Sequence, residues 1–202
     1  MKAFGLTGNA GCGKSTVASL FSRYQDVLII DCDRVAKEIL SNQTLQREIN
    51  SILGTDVFPD GKVNRKLIAN IIFKQPEKKR LMEELVHPIV WATVQKMIQE
   101  TSKGTVCIVE SAIIYETKSE NLFEAVIDVT CDYEEQVRRL RENRKMEDSD
   151  IQALLTSQLS SFEKERRSHF VINTNCTLEQ LSERVEKLYR ELKQKGTNHE
   201  NA

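Results

Sequence analysis

Apolar residues along this chain gather into short runs separated by amphipathic stretches, and that alternation predicts the architecture. The runs Ala3-Phe4-Gly5-Leu6-Thr7, Val27-Leu28-Ile29-Ile30-Asp31, Val106-Cys107-Ile108-Val109-Glu110, Ala125-Val126-Ile127-Asp128-Val129 and Phe170-Val171-Ile172-Asn173 read as strands. Being apolar at nearly every position, they suit strands covered on both faces, as in a parallel sheet. Between them the apolar residues recur at helical spacing: Val17, Ala18, Leu20 and Phe21, then Val35, Ala36, Ile39 and Leu40, then Leu45, Ile49, Ile52 and Leu53. Strands alternating with helices imply an α/β fold, a five-stranded parallel sheet flanked by helices.

Two interruptions of the alternation are longer than a crossover needs. Over residues 54–65 the periodicity breaks, and Pro59-Asp60-Gly61 has turn chemistry, so a loop or short hairpin is expected. Helical spacing resumes over 66–73 and 77–86, and Pro88 predicts a boundary before a third helix from Ile89 to about Glu100. This block predicts a helical substrate-covering region at about 55–105. The second interruption, 134–167, carries Arg138, Arg139, Arg141, Arg144, Arg166 and Arg167, and predicts a lid at about 138–167. Leu178, Leu181, Val185, Leu188 and Leu192 mark a last amphipathic helix, with 196–202 expected to fray. At 202 residues the whole reads as one domain with these appendages.

Composition narrows the partners. A formal net charge of −1 argues against duplex nucleic acid or an anionic membrane, and points to a small ligand. The five cysteines, Cys12, Cys32, Cys107, Cys131 and Cys176, are odd in number with no C-x-x-C pair, which fits a reducing compartment. No apolar run approaches a membrane span and the first residues run straight into a strand, so a cytoplasmic protein is expected, monomeric or weakly self-associating.

The stretch after the first strand is where chemistry enters. Gly8-Asn9-Ala10-Gly11-Cys12-Gly13-Lys14-Ser15 fills every fixed position of the phosphate-loop pattern G-x-x-x-x-G-K-[ST]. Its glycines let backbone N–H groups close on a triphosphate, Lys14 supplies a point charge, the Ser15 hydroxyl suits Mg²⁺, and the helix start adds its positive dipole end. A helix cap with a coincidental Lys and Ser is the plain alternative, and the strand–loop–helix context argues against it. A nucleotide site over Gly8, Asn9, Ala10, Gly11, Cys12, Gly13, Lys14, Ser15 and Thr16 follows.

The second strand ends in Asp31-Cys32-Asp33. In open α/β sheets ligands bind outside the carboxyl ends of strands, so these carboxylates are expected on the same cleft as the phosphate loop. Asp33 is the acceptor-side carboxylate of choice, although Asp is also a favoured helix cap. Glu110 could orient water on Mg²⁺ or be a satisfied strand-end acid; both readings stand. Cys12 and Cys32 read as small packing residues. The guanine-reading N-K-x-D and the D-x-x-G switch of GTPases are both missing. Kinase chemistry needs only an aligned hydroxyl, Mg²⁺, cationic charge and an acceptor carboxylate, and the chain offers all four.

Gly5-Leu6-Thr7-Gly8 leading into the phosphate loop, Asp31-Cys32-Asp33 followed by Ala36, Phe58-Pro59-Asp60-Gly61-Lys62-Val63-Asn64-Arg65, Phe73, and Val86-His87-Pro88-Ile89 together resemble the dephospho-CoA kinase family over most of the chain. The resemblance implies a P-loop kinase fold and transfer of the ATP γ-phosphate to the ribose 3′-hydroxyl of dephospho-CoA, the last step of CoA biosynthesis. It implies catalytic roles for Asp33 as base, Lys14, and a lid arginine at Arg144, or Arg141 if the helix register differs. It also implies substrate contacts at Thr7, Asp33, Arg65, His87 and Glu116, ATP and Mg²⁺ as cofactors, and Ser15 on the metal. Without the resemblance, His87 reads as a buried hinge, Arg65 as a solvated helix start, and the 138–144 cluster as a charged face. The chain departs from the family where P-L-L-x-E becomes Ala112-Ile113-Ile114-Tyr115-Glu116 and where A-D-x-V-I-x-N becomes Ser168-His169-Phe170-Val171-Ile172-Asn173. Two other readings remain: another small-molecule P-loop kinase for a nucleoside, nucleotide or shikimate-like alcohol, and a nucleotide-binding regulator without catalysis.

Overall fold

The computed structural model of the chain describes residues 2–195, and the expected fraying of 196–202 lies outside them. Among the described residues, β1 (Lys2–Thr7), β2 (Val27–Asp31), β3 (Val106–Glu110), β4 (Ala125–Thr130) and β5 (Phe170–Asn173) form one sheet in the order β2-β3-β1-β4-β5. Every pairing is parallel. The strands fall where the apolar runs placed them, and the three central ones are buried on both faces: Phe4, Leu6, Ile108, Ile127 and Val129 are sealed from solvent, while Leu28 and Val171 of the edge strands are exposed. Over this core α1 (Lys14–Phe21) and α9 (Leu178–Lys195) pack side by side, through Val17, Ala18, Leu20 and Phe21 of the first and Leu181, Val185, Leu188 and Leu192 of the second.

The order puts β1 between β3 and β4, so three strand ends lie side by side. Register pairs Leu6 with Glu110 and Thr7 with Asp128. Between β4 and β5 run α6 (Tyr133–Arg144), α7 (Asp148–Thr156) and α8 (Ser161–Arg167), which fill the expected lid segment. Leu140 and Ile151 of this segment pack with Ala10 of the phosphate loop.

The chain divides into two compact units, one made of the residues up to Asp31 with those from Ile98 onward, the other Cys32–Met97. The second unit contains α2 (Cys32–Ile39), α3 (Gln43–Leu53), α4 (Arg65–Lys74) and most of α5 (Pro76–Gln99). It has its own core of Leu45, Ile49, Leu53, Val57 and Phe58, against which Ile68, Ile72, Met82 and Val86 pack. Residues 54–64 form a loop with a single 3₁₀ turn, Pro59–Gly61, and no hairpin. Asn50 holds it: its Nδ2 donates to Asp56 Oδ1 and its Oδ1 accepts from Val57 N, both at 2.9 Å.

The boundary expected at Pro88 is corrected: α5 runs through it unbroken. Pro88 is exposed while Val90 and Val94 are buried, so the proline lies on the outer side of the helix. There the Glu84 carbonyl that loses its N–H partner can be hydrated, which reduces the usual cost of an interior proline.

Candidate active site

The donor site begins with backbone geometry. Gly8 has φ 138°, and a Cβ there would sit 2.2 Å from the Val129 carbonyl oxygen, so the loop can leave β1 beside β4 only with glycine at this position. Gly13, at φ 90° and ψ 22°, turns the chain into α1, whose first N–H groups have no side-chain cap. Uncapped N–H groups at a helix start form an anion site. Lys14 Nζ donates to the Gly8 and Asn9 carbonyls at 2.8 and 3.2 Å, which keeps the ammonium over the loop. Burial pushes the Lys14 ammonium down from its ordinary value; Cys12 and Glu110 oppose that, and Lys164 and Arg144 add to it. Both Arg141 and Arg144 are exposed; Arg144 is within charge range of Lys14, whereas Arg141 is paired with Asp148 at 2.7 Å.

Ser15 Oγ donates to Glu110 Oε1 at 3.1 Å. This joins the last residue of the phosphate-loop motif to the acid ending β3, and the two oxygens are of the kind Mg²⁺ takes. Sequence reasoning left Glu110 evenly balanced; the sheet order that brings β3 against β1 is the missing fact. Cys12 and Cys131 are buried, share a hydrogen bond and belong to the sheet's core, in keeping with a packing role.

Beneath the loop lies an acid that the pattern of apolar runs hid. Asp128 is 1% exposed, and neither carboxylate oxygen has a hydrogen-bond partner among the described residues. Burial raises its carboxyl to about 6; Lys164 and Lys14 pull it down, and Glu165 pushes it up. Thr7, expected to touch substrate, is fully buried beside Asp128 in the register. Glu116, also expected on substrate, is engaged twice, by Lys164 Nζ at 2.9 Å and by the Leu159 N–H at 2.9 Å. Glu116 thereby braces the 158–159 segment, whereas the Thr7 hydroxyl has no hydrogen-bond partner among the described residues.

The helical unit carries a cavity of about 450 Å³. Asp33, Lys37, Arg65, Glu83 and His87 are its ionisable lining, and the rest is apolar, including Ile68, Met82 and Val86. Three expected substrate residues, Asp33, Arg65 and His87, thus meet around one cavity although they lie on α2, α4 and α5. Burial lowers the His87 imidazole below its ordinary 6.5, opposed by Glu83 and assisted by Lys79. Asn64 caps α4, accepting from Leu67 N at 3.0 Å, and so fixes the helix start that bears Arg65.

A parallel sheet with a glycine loop leading into a helix, a Ser–acid pair at the strand ends and a separate helical unit define a P-loop kinase fold. Comparison with known proteins gives the particular family. The dephospho-CoA kinase family profile matches residues 2–180, and the chain belongs to that family. A dephospho-CoA kinase of Leptospira interrogans is 31% identical, covering 93% of this chain and 91% of the relative. One from Aquifex aeolicus is 30% identical, covering 95% and 98%. Among solved structures, a Thermus thermophilus protein superposes with a TM-score of 0.81 at 25% identity, covering 95% of this chain and 97% of that one. The fold also matches a Campylobacter jejuni dephospho-CoA kinase, TM-score 0.64 at 24% identity over 95% and 97% of the two chains. It matches an Acinetobacter baumannii shikimate kinase, TM-score 0.52 at 16% identity over 95% and 94%.

Proposed function

We propose that the chain transfers the γ-phosphoryl group of ATP to the ribose 3′-hydroxyl of dephospho-CoA, giving CoA and ADP, the last step of CoA biosynthesis. The observation that carries the reading is the cavity gathering Asp33, Arg65 and His87 in a chain that also bears the phosphate loop and belongs to this family. Asp33 takes the proton of the attacking hydroxyl. Lys14 and Arg144 offset charge on the transferring group, and Arg65 offers a fork of donors to a phosphate of the acceptor. Ser15 and Glu110 would hold Mg²⁺, which when bound neutralises charge on the phosphate oxygens. Glu116 braces the 158–159 segment beside the loop, and Thr7 is fully buried.

No described helix is long and apolar enough to cross a membrane, and the five cysteines are free thiols. We read the chain as a cytoplasmic enzyme, monomeric or weakly self-associating, whose partner is its small-molecule substrate. A coupled ADP-release assay with dephospho-CoA, adenosine and shikimate as acceptors tests the assignment. Turnover should appear with dephospho-CoA; equal or greater turnover with either other alcohol would sink it.

A further inference from the structure

One buried cation outside the groups assigned to transfer ties several parts of the donor site together. Lys164 lies within α8 between Glu163 and Glu165, a charged stretch that reads as a solvated face, yet it is 0% exposed. Its Nζ donates to the Ala112 carbonyl at 2.6 Å and pairs with Glu116 Oε1 at 2.9 Å. An ammonium removed from water is tolerated only with such partners, and loss of one leaves an uncompensated charge. The same Glu116 oxygen accepts from Leu159 N at 2.9 Å.

From Leu159 the contacts run into the phosphate loop. The Leu159 carbonyl accepts from Asn9 Nδ2 at 3.1 Å, and Gln158 Oε1 accepts from Ala10 N at 2.9 Å. Ala10 is held from its other side, its carbonyl accepting from Gln136 Nε2 at 2.6 Å. The Ala10 amide is thus oriented by the 158–159 segment, that segment by Glu116, and Glu116 by Lys164. Through Ala112, Lys164 also grips the segment that follows β3, the strand ending in the acid that meets Ser15.

We propose that Lys164 is a positioning residue for phosphoryl transfer: by holding Glu116, and with it Gln158 and Leu159, it fixes the phosphate loop at Asn9 and Ala10 without touching nucleotide or acceptor. Its effect on turnover rests on the kinase reading above; its effect on nucleotide affinity does not. A preorganised loop matters because small displacements of groups around a reacting phosphate are expensive in rate.

The test uses the full chain as wild type, Lys164→Met, Gln158→Leu and the double variant. Three quantities are read: affinity for a fluorescent non-hydrolysable ATP analogue with Mg²⁺, turnover with dephospho-CoA, and melting temperature. Each single variant should weaken analogue binding and lower turnover by about tenfold to a hundredfold, the scale of a misplaced reacting group. The double variant should be no worse than the more severe single, because both cut one chain of contacts. Lys164→Met with affinity and turnover within about twofold of wild type, and only the melting temperature lowered, would show a merely structural lysine. Single effects that multiply in the double would also overturn the proposal. Should Lys164→Met not fold, Glu116→Ala replaces it in the same cycle, and Glu116→Gln, which keeps an acceptor for Leu159 N, should lose less. Wild type inactive on dephospho-CoA with the coupled affinity losses intact would sink the acceptor assignment and leave the positioning role standing.

Discussion

On the proposed reading, the two compact units recognise phosphate-bearing ligands by different means. In the sheet unit the recognising groups are backbone N–H groups, placed by Gly8 and Gly13, together with the Lys14 ammonium held over the loop. In the helical unit they are side chains from α2, α4 and α5 around a cavity with apolar lining. A backbone-built site suits a triphosphate that many enzymes share, since it reads shape and charge. A side-chain-built site can be altered one residue at a time, which is how a common fold acquires a particular acceptor. Variants that affect one ligand and spare the other would uphold this division, and variants that affect both would break it.

The largest effect is expected at Asp33. Asp33→Asn should cut turnover by about 10² to 10⁴ and leave ATP affinity unchanged, because a general base acts on the acceptor hydroxyl alone. Single-turnover kinetics with separate nucleotide titration decides it; turnover within a few-fold of wild type would remove Asp33 from the base role. Lys14→Ala, by contrast, should weaken nucleotide binding and slow transfer together, with a rate loss of about 10² to 10³, the scale of one lost electrostatic donor. A variant that bound ATP normally would contradict the geometry that holds Nζ over the loop.

Asp128 separates stability from chemistry within the donor unit. Its folded pKa of about 6 exceeds the ordinary 3.8, so the folded protein holds this proton more tightly than the unfolded chain does. For a raised carboxyl, stability falls as pH rises from about 4 to about 6 and then levels off, by about 3 kcal/mol in all. Asp128→Asn removes that fall. Urea unfolding should show the variant close to wild type at pH 4 and more stable by up to about 3 kcal/mol at pH 8. The charged neighbours Lys164, Lys14 and Glu165 set the residual slope. Equal stability at pH 8 would mean that the carboxylate is better compensated than its partnerless oxygens imply.

A smaller effect is expected on the acceptor side. Arg65→Ala should raise KM for dephospho-CoA by about tenfold, the worth of a hydrogen bond to a charged group, and leave KM for ATP unchanged. Parallel changes in both constants would erase the division of labour between the units.

What was legible in the sequence follows the same division. The strands and the phosphate loop could be read directly, because burial on both faces and positive φ leave few residue choices. Asp33, Arg65 and His87 were legible as a group only through a family resemblance, since helices spaced along the chain bring them to one cavity. Glu110 needed the strand order to become more than a strand-end acid. Lys164 and Gln158 carried no signal at all: a lysine among glutamates and arginines looks solvated until the fold encloses it. The continuity of α5 through Pro88 escaped because the cost of proline depends on which side of the helix faces water.

The smallest expected effect falls on the arginine that the resemblance could not separate from its neighbour. Arg141 is exposed and its partner Asp148 lies on the exposed start of α7, so the pair is screened by solvent and contributes little. Arg144 has no hydrogen bond or ion pair among the described contacts, and its charge reaches Lys14. Arg141→Ala should leave turnover within about twofold, whereas Arg144→Ala should slow transfer by at least about tenfold at saturating ATP, as expected for loss of a charge aimed at the transferring group. Steady-state assays of the two variants at matched melting temperature decide between them. A reversed order would move the arginine assignment from Arg144 to Arg141, one turn back on α6.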